Sequence, residues 1–208
     1  MEQTITVQAP TAAELQHYHD WWASLSIPWK IAFNETMLRR TSAEALPDDV
    51  LHAIWTAPAM RFAGPSAPYP NMSVELDDLS GIEAFPQLEV FVFTHHKITS
   101  LASLAKLPWL KSLFVFDNQI TALDGVEVMS GLQELYFQSN LVKSLRPLEG
   151  LTALHTVYCP YNRLESLEGI GQQHAASLKN FTGLPNDNLP ATEVTRFEHE
   201  LGIPCRRG

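Results

Sequence analysis

Between residues 88 and 170 the chain repeats itself every 22 residues, and this periodicity constrains its fold more than any other feature. One unit carries Leu110, Leu113, Val115, Asn118, Ile120, Leu123, Val126 and Met129. Shifted forward, the same slots hold Leu132, Leu135, Phe137, Asn140, Val142, Leu145, Leu148 and Leu151, and then Leu154, Val157, Cys159, Asn162, Leu164, Leu167 and Ile170. Shifted backward, they hold Leu88, Phe91, Phe93, His96, Ile98, Leu101, Leu104 and Leu107. Every apolar slot stays apolar through four copies. Leu76, Leu79, Ile82 and Phe85 add half a unit in front. Leu178, Phe181, Gly183 and Asn186 add half a unit behind, after an insertion within Gly171–Ala176. A unit this short cannot bury its own apolar face, so the copies must stack into a solenoid.

The physics of the slots predicts the shape of one turn. The L-x-L part alternates with period two and reads as a short strand whose leucines point inward. The Asn slot marks an inward turn, where a side-chain amide can satisfy backbone groups that would otherwise be buried unpaired. Asn118, Asn140, Asn162 and Asn186 should form a ladder, with His96 as a polar substitute near its end. The later leucines, three residues apart, suit 3₁₀ or irregular turns on the convex side. Cys159 falls in a core slot and reads as a buried, inert thiol.

The pattern L-x-x-L-x-L-x-x-N-x-L-x-x-L-x-x-L over residues 72–190 resembles the leucine-rich repeat. Its 22-residue length is similar to the subtype of bacterial internalins and of a eukaryotic phosphatase-regulating subunit. The resemblance implies an α/β leucine-rich-repeat solenoid with parallel strands on its concave face, bacterial origin, and a role in binding another protein.

A solenoid needs caps. Residues 1–71 read as a helical N-terminal cap and linker, residues 72–190 as the repeats, and residues 191–208 as a C-terminal cap and tail. Thr11 and Glu14 form a capping-box pair ahead of the stripe Leu15, Tyr18, Trp22 and Leu25. Pro28 opens a second helix with Trp29, Phe33 and Met37 on one face. Pro47-Asp48-Asp49 opens a third, with Val50, Leu51, Ile54 and Trp55. Trp21, Trp22, Trp29 and Trp55 all lie here, as packing for the first repeat or as a second binding site. The prolines of residues 58–71 read as a linker. Residues 191–201 read as a closing helix and Cys205–Gly208 as a frayed tail.

Between the core leucines, the alternate strand residues face outward. The middle column is Val92, Phe114, Tyr136, Tyr158 and Thr182, which places three aromatic rings about 5 Å apart on adjacent strands. Phe116 and Tyr161 widen the patch, Trp109 stands on a nearby turn, and Glu134, Gln138 and Asp117 border it. Exposed aromatic groups bury large area at small entropic cost and are enriched in binding hot spots. The candidate partner-binding residues are therefore Val92, Phe114, Phe116, Glu134, Tyr136, Gln138, Tyr158 and Tyr161. The leading reading is a protein-interaction module, monomeric and without cofactor. The alternative is a self-assembling protein that uses the same patch to form a homodimer.

Composition narrows the partner. With 14 Lys and Arg against 23 Asp and Glu, the net charge of −9 disfavours nucleic acid and anionic membranes. Met1–Thr6 lacks the basic and apolar runs of a secretory signal, so the expected location is the cytoplasm, or outside the cell as an effector exported without one. Cys159 and Cys205 are too few for a disulfide scaffold. An enzyme is the poorest reading. His17 and His19 sit two apart on a helix and diverge, which argues against a shared metal, and His95 and His96 do the same on a strand. No G-x-S-x-G, phosphate-binding glycine loop or C-x-x-C is present. A hydrolase in the histidine-bearing cap remains the third hypothesis, and no metal ligands are assigned.

Overall fold

The structure is a computed structural model that describes residues 9–208; the reading of Met1–Thr6 falls outside the described residues. Three helices come first: α1 (Ala12–Ser24), α2 (Ile27–Leu38) and α3 (Asp48–Trp55). Thr11 caps α1, its side chain accepting from the Glu14 N–H while the Glu14 carboxylate accepts from the Thr11 N–H at 2.7 Å. Pro28 lies in the first turn of α2, and Asp48 and Asp49 in that of α3. The three helices pack through aromatic rings set edge to face, such as Trp21 against Phe33 at 5.0 Å and against Trp55 at 5.7 Å, and Trp55 meets Phe85 of the first half repeat at 5.0 Å.

Among the described residues, seven strands form one parallel sheet in chain order: β1 (Ala59–Ala63), β2 (Val90–Thr94), β3 (Ser112–Phe114), β4 (Glu134–Tyr136), β5 (Thr156–Tyr158), β6 (Asn180–Leu184) and β7 (Cys205–Arg207). Short 3₁₀ turns follow on the convex side at Ala102–Lys106, Arg146–Leu148 and Gln172–His174. Helix α4 (Ala191–Leu201) buries Phe197 and Leu201 and closes the far end. The apolar slots of the repeat form a continuous core in which Leu113, Leu135, Val157 and Phe181 are each fully buried. None of the described helices is long and apolar enough to cross a membrane.

Two segments differ from the sequence reading. Residues 59–63, read as linker, form β1, which pairs with β2 from Ala59↔Val90 to Ala63↔Thr94. Proline at position 58 ends α3, and Met60 and Phe62 then alternate inward like any repeat strand. Cys205–Arg207, read as frayed, form β7 against β6, because Cys205 enters the core column behind Phe181. A strand whose only partner lies far along the chain leaves little trace in local pattern.

The asparagine ladder follows the leucines, except that the Oδ1 of Asn118 is buried without a partner among the described residues. The Asn140 amide donates to the carbonyls of Val115 at 2.9 Å and Phe137 at 3.0 Å, and its oxygen accepts from Ile120 N at 2.9 Å. Asn162 repeats the set with Phe137, Cys159 and Val142, and Asn186 continues it. His96 takes the acceptor half of this role, its Nδ1 accepting from Leu76 N at 3.2 Å. Its Nε2 is buried without a partner among the described residues. Burial pushes its pKa down to about 4, so the ring is neutral.

Candidate functional site: the concave aromatic column

Parallel pairing in strict register turns one repeat slot into one column. Val92 pairs with Phe114, Phe114 with Tyr136, Tyr136 with Tyr158, and Tyr158 with Thr182. Phe114 stacks on Tyr136 at 4.8 Å with planes 21° apart, and Tyr136 on Tyr158 at 5.6 Å, also at 21°. All three rings are half-buried. Burial, and then the charge of Glu134, raise the Tyr136 phenol above its usual range, so it is a neutral donor.

The rest of the predicted residues surround this column. Glu134 lies one register position along, accepting from Ser112 Oγ at 2.7 Å. Phe116 lies just past β3 with the His95 imidazole edge-on at 5.6 Å, and His95 Nε2 reaches Asp117 at 3.4 Å. Gln138 lies just past β4, and its Oε1 is buried with no hydrogen-bond partner among the described residues. Tyr161 stands apart. It is 57% exposed on the turn after β5, beside a polar hollow lined by Asn140, Arg163 and Asp187. Its φ of 58° lies in the left-handed region, as do His95, Asp117 and Ser139 at the same slot of earlier repeats. A bulky side chain is an uncommon occupant there. Trp109 lies in the turn before β3 and donates to the Phe85 carbonyl at 3.1 Å.

Sequence reasoning missed both ends of the column. Register extends it to Arg61 on β1 beyond Val92, and to Arg206 on β7 beyond Thr182. The stacked rings therefore lie between two exposed guanidinium groups. Arg206 Nη1 donates to Asn180 Oδ1 at 3.0 Å. A Cβ on Gly208 would come within 2.5 Å of Tyr158 Oη, so the tail backbone rests against that ring. Arg206 was within reach of the sequence, since Thr182 and Arg206 repeat the spacing of Tyr158 and Thr182. Arg61 was not, because the loop after β1 breaks the period.

The features that could have suggested chemistry are occupied otherwise. His19 Nε2 meets Asp48 Oδ1 at 2.9 Å, while the His17 ring packs edge-on against Trp55 at 4.6 Å. Among the described residues no group of three His, Cys, Asp or Glu side chains is placed to hold a metal ion. Cys159 is fully buried, and burial pushes its thiol far up.

No protein-family model and no curated protein sequence matches the chain. Solved structures do. An internalin, InlF, of Listeria monocytogenes matches with a TM-score of 0.52 and 21% identity, over 58% of this chain and 34% of that one. Internalin C2 of the same species matches over 78% of this chain and 90% of that one, at 16% identity and a TM-score of 0.39. The chain thus spans about a third of the length of the first of these proteins. At this identity the first likeness bears on the fold, and it agrees with the seven-stranded parallel sheet and the repeat pattern. In its fold the chain is an internalin-like leucine-rich-repeat solenoid.

Proposed function

We propose that the chain is a protein-binding module, without catalytic activity of its own, whose contact surface is the concave face centred on Phe114, Tyr136 and Tyr158. The stacked ring column carries this reading. Three large rings are ordered by the sheet yet only half-buried, so they offer area that costs little further entropy to bury. Val92, Phe116 and Glu134 extend the face. The unpartnered Oε1 of Gln138 supports it too, since a buried acceptor gains most from a donor brought by a partner. Tyr161 is the outer contact, on the turn. The flanking Arg61 and Arg206 favour a partner with acidic groups at both ends of an apolar strip.

The test is a pull-down that compares wild-type protein with a Phe114→Ser, Tyr136→Ser, Tyr158→Ser variant whose fold is verified by circular dichroism. A protein held by the wild type and released by the variant supports the reading. Equal retention by both overturns it. Sedimentation equilibrium tests the self-association alternative: a mass that rises with concentration for wild type and not for the variant would replace the partner with a second copy.

A further inference from the structure

We propose a second binding site on this protein: the outer edge of β1 accepts an extended peptide segment as an additional parallel strand, with one apolar side chain seated between β1 and α2 and acidic residues beside it. The backbone phase of β1 is the first observation. Val90 N donates to the Pro58 carbonyl and Gly64 N to the Thr94 carbonyl. The even-numbered residues of β1 therefore turn their peptide groups to β2, and Ala59, Arg61 and Ala63 turn theirs to the free edge. Asn71 takes part of that edge. Its Oδ1 accepts from Ala63 N at 2.7 Å, its Nδ2 donates to the Arg61 carbonyl at 2.7 Å, and its own N–H donates to the Ala63 carbonyl at 3.2 Å. Among the described residues nothing takes the Ala59 carbonyl or the Arg61 N–H. These two groups are the pair that one residue of an added parallel strand would bond, donating to Ala59 and accepting from Arg61.

That residue would lie level with Met60, so its side chain would point to the same side of the sheet as Met60 and Phe62. A cavity of about 230 Å³ lies there, lined by Phe33, Met37, Ile54, Ala57, Met60 and Phe62. It is smaller than the roughly 300–1,000 Å³ of sites for whole small ligands, and suits one side chain. Backbone groups and cavity thus select the same residue of the incoming strand. Met37 is 40% exposed at the mouth, an apolar side chain left for a partner to cover.

Charge decides between occupants. A second hollow shares Thr36 and Asn71 with the first and is bordered by Arg39. Neither Arg39 nor Arg61 makes an ion pair among the described residues, whereas Arg40, Arg146 and Arg196 do. A second copy of the chain is disfavoured: joining β7 of one copy to β1 of the next would set Arg206 and Arg207 against Arg61, and joining β1 to β1 would face Arg61 with itself. Glu35 also lines the second hollow, but its carboxylate is already held by Thr41 and Ser73, which leaves Arg39 and Arg61 as the charges a carboxylate-bearing partner segment would meet.

The probe is the capped peptide acetyl-Glu-Glu-Leu-Glu-Glu-amide, which carries glutamates on both faces of the added strand, titrated into the ¹⁵N-labelled full chain. The amide of Arg61 and the signals of Ala57 and Met37 should shift. Methylating the leucine nitrogen, which removes the donor to the Ala59 carbonyl, should weaken binding at least tenfold. Ala57→Phe, which fills the cavity, should abolish it, and Arg39→Glu with Arg61→Glu should weaken it severalfold. The Phe114→Ser, Tyr136→Ser, Tyr158→Ser variant should bind the peptide like wild type, which separates this site from the concave face. Absence of shifts at Arg61 with millimolar peptide, equal affinity for the methylated peptide, or loss of binding in the triple concave variant would each overturn the proposal.

Discussion

The N-terminal cap and the concave face both draw on aromatic side chains, and they use them in opposite ways. In the cap, Trp21, Trp29, Phe33 and Trp55 are 6% exposed or less and meet mostly edge to face, as Trp21 does with Phe85 at 90°. Their indole N–H groups are largely tied, Trp21 to the Gly81 carbonyl and Trp29 to Asp78 Oδ1 at 3.0 Å. On the concave face, Phe114, Tyr136 and Tyr158 lie nearly parallel and only half-buried, spaced by the strands rather than by their own preferred contacts. Residue type alone therefore does not separate packing from recognition. Exposure and ring geometry do.

Substitutions should divide along the same line. Trp29→Ala removes a fully buried ring from the junction of cap and repeats, and should cost about 3–5 kcal/mol, read as a lower denaturant midpoint. Loss of concave-face binding without loss of stability in that variant would break the comparison. Acid should act through the interior as well. The folded pKa of His96 is about 4 against an ordinary 6.5, so the unfolded chain binds the proton first as pH falls. This group's contribution is fully present above pH 6.5 and is lost as pH falls from there to about 4, by up to about 1.4 kcal/mol per unit. His96→Asn, which restores the ladder residue of later repeats, should flatten that part of the stability–pH curve; an unchanged curve would remove His96 as its cause.

Asn140→Leu leaves Ile120 N without its buried acceptor and takes one of two side-chain donors from each of the Val115 and Phe137 carbonyls, which keep Asn118 and Asn162, and should cost roughly 1–3 kcal/mol by chemical denaturation. Tyr161→Asn relieves a bulky residue of a left-handed backbone, and should gain about 1 kcal/mol while weakening partner binding. A destabilised Tyr161→Asn variant would mean that the ring is there for the fold. The smallest stability effect belongs to the column itself. Tyr136→Ser gives up two cross-strand ring pairs and should cost about 1 kcal/mol or less, yet should release the partner. A stability loss in Tyr136→Ser as large as that of Trp29→Ala would erase the distinction between the two regions.

Much of this was legible because the repeat is its own internal control. Leu113, Leu135 and Val157 share a slot, so stacking one unit on the next predicts their burial, the ladder of Asn118, Asn140 and Asn162, and the column of Phe114, Tyr136 and Tyr158. The role of His96 was legible as a slot, though not its lone acceptor bond. What lay outside the period was harder. Ala59–Ala63 and Cys205–Arg207 resembled linker and tail, since each is paired on one side only and has no second copy to compare.

The amino-acid sequence by itself determined the repeat, its register and the line of rings down the inner face, because a short period makes every contact within the repeats a contact between neighbouring copies. Only the tertiary structure decided where the solenoid begins, that Arg61 heads the column, and that the cap tryptophans are interior while the column rings are not. Those outcomes depend on which distant segments meet the first and last strands, and pairing between segments that occur once leaves no periodic signal to read.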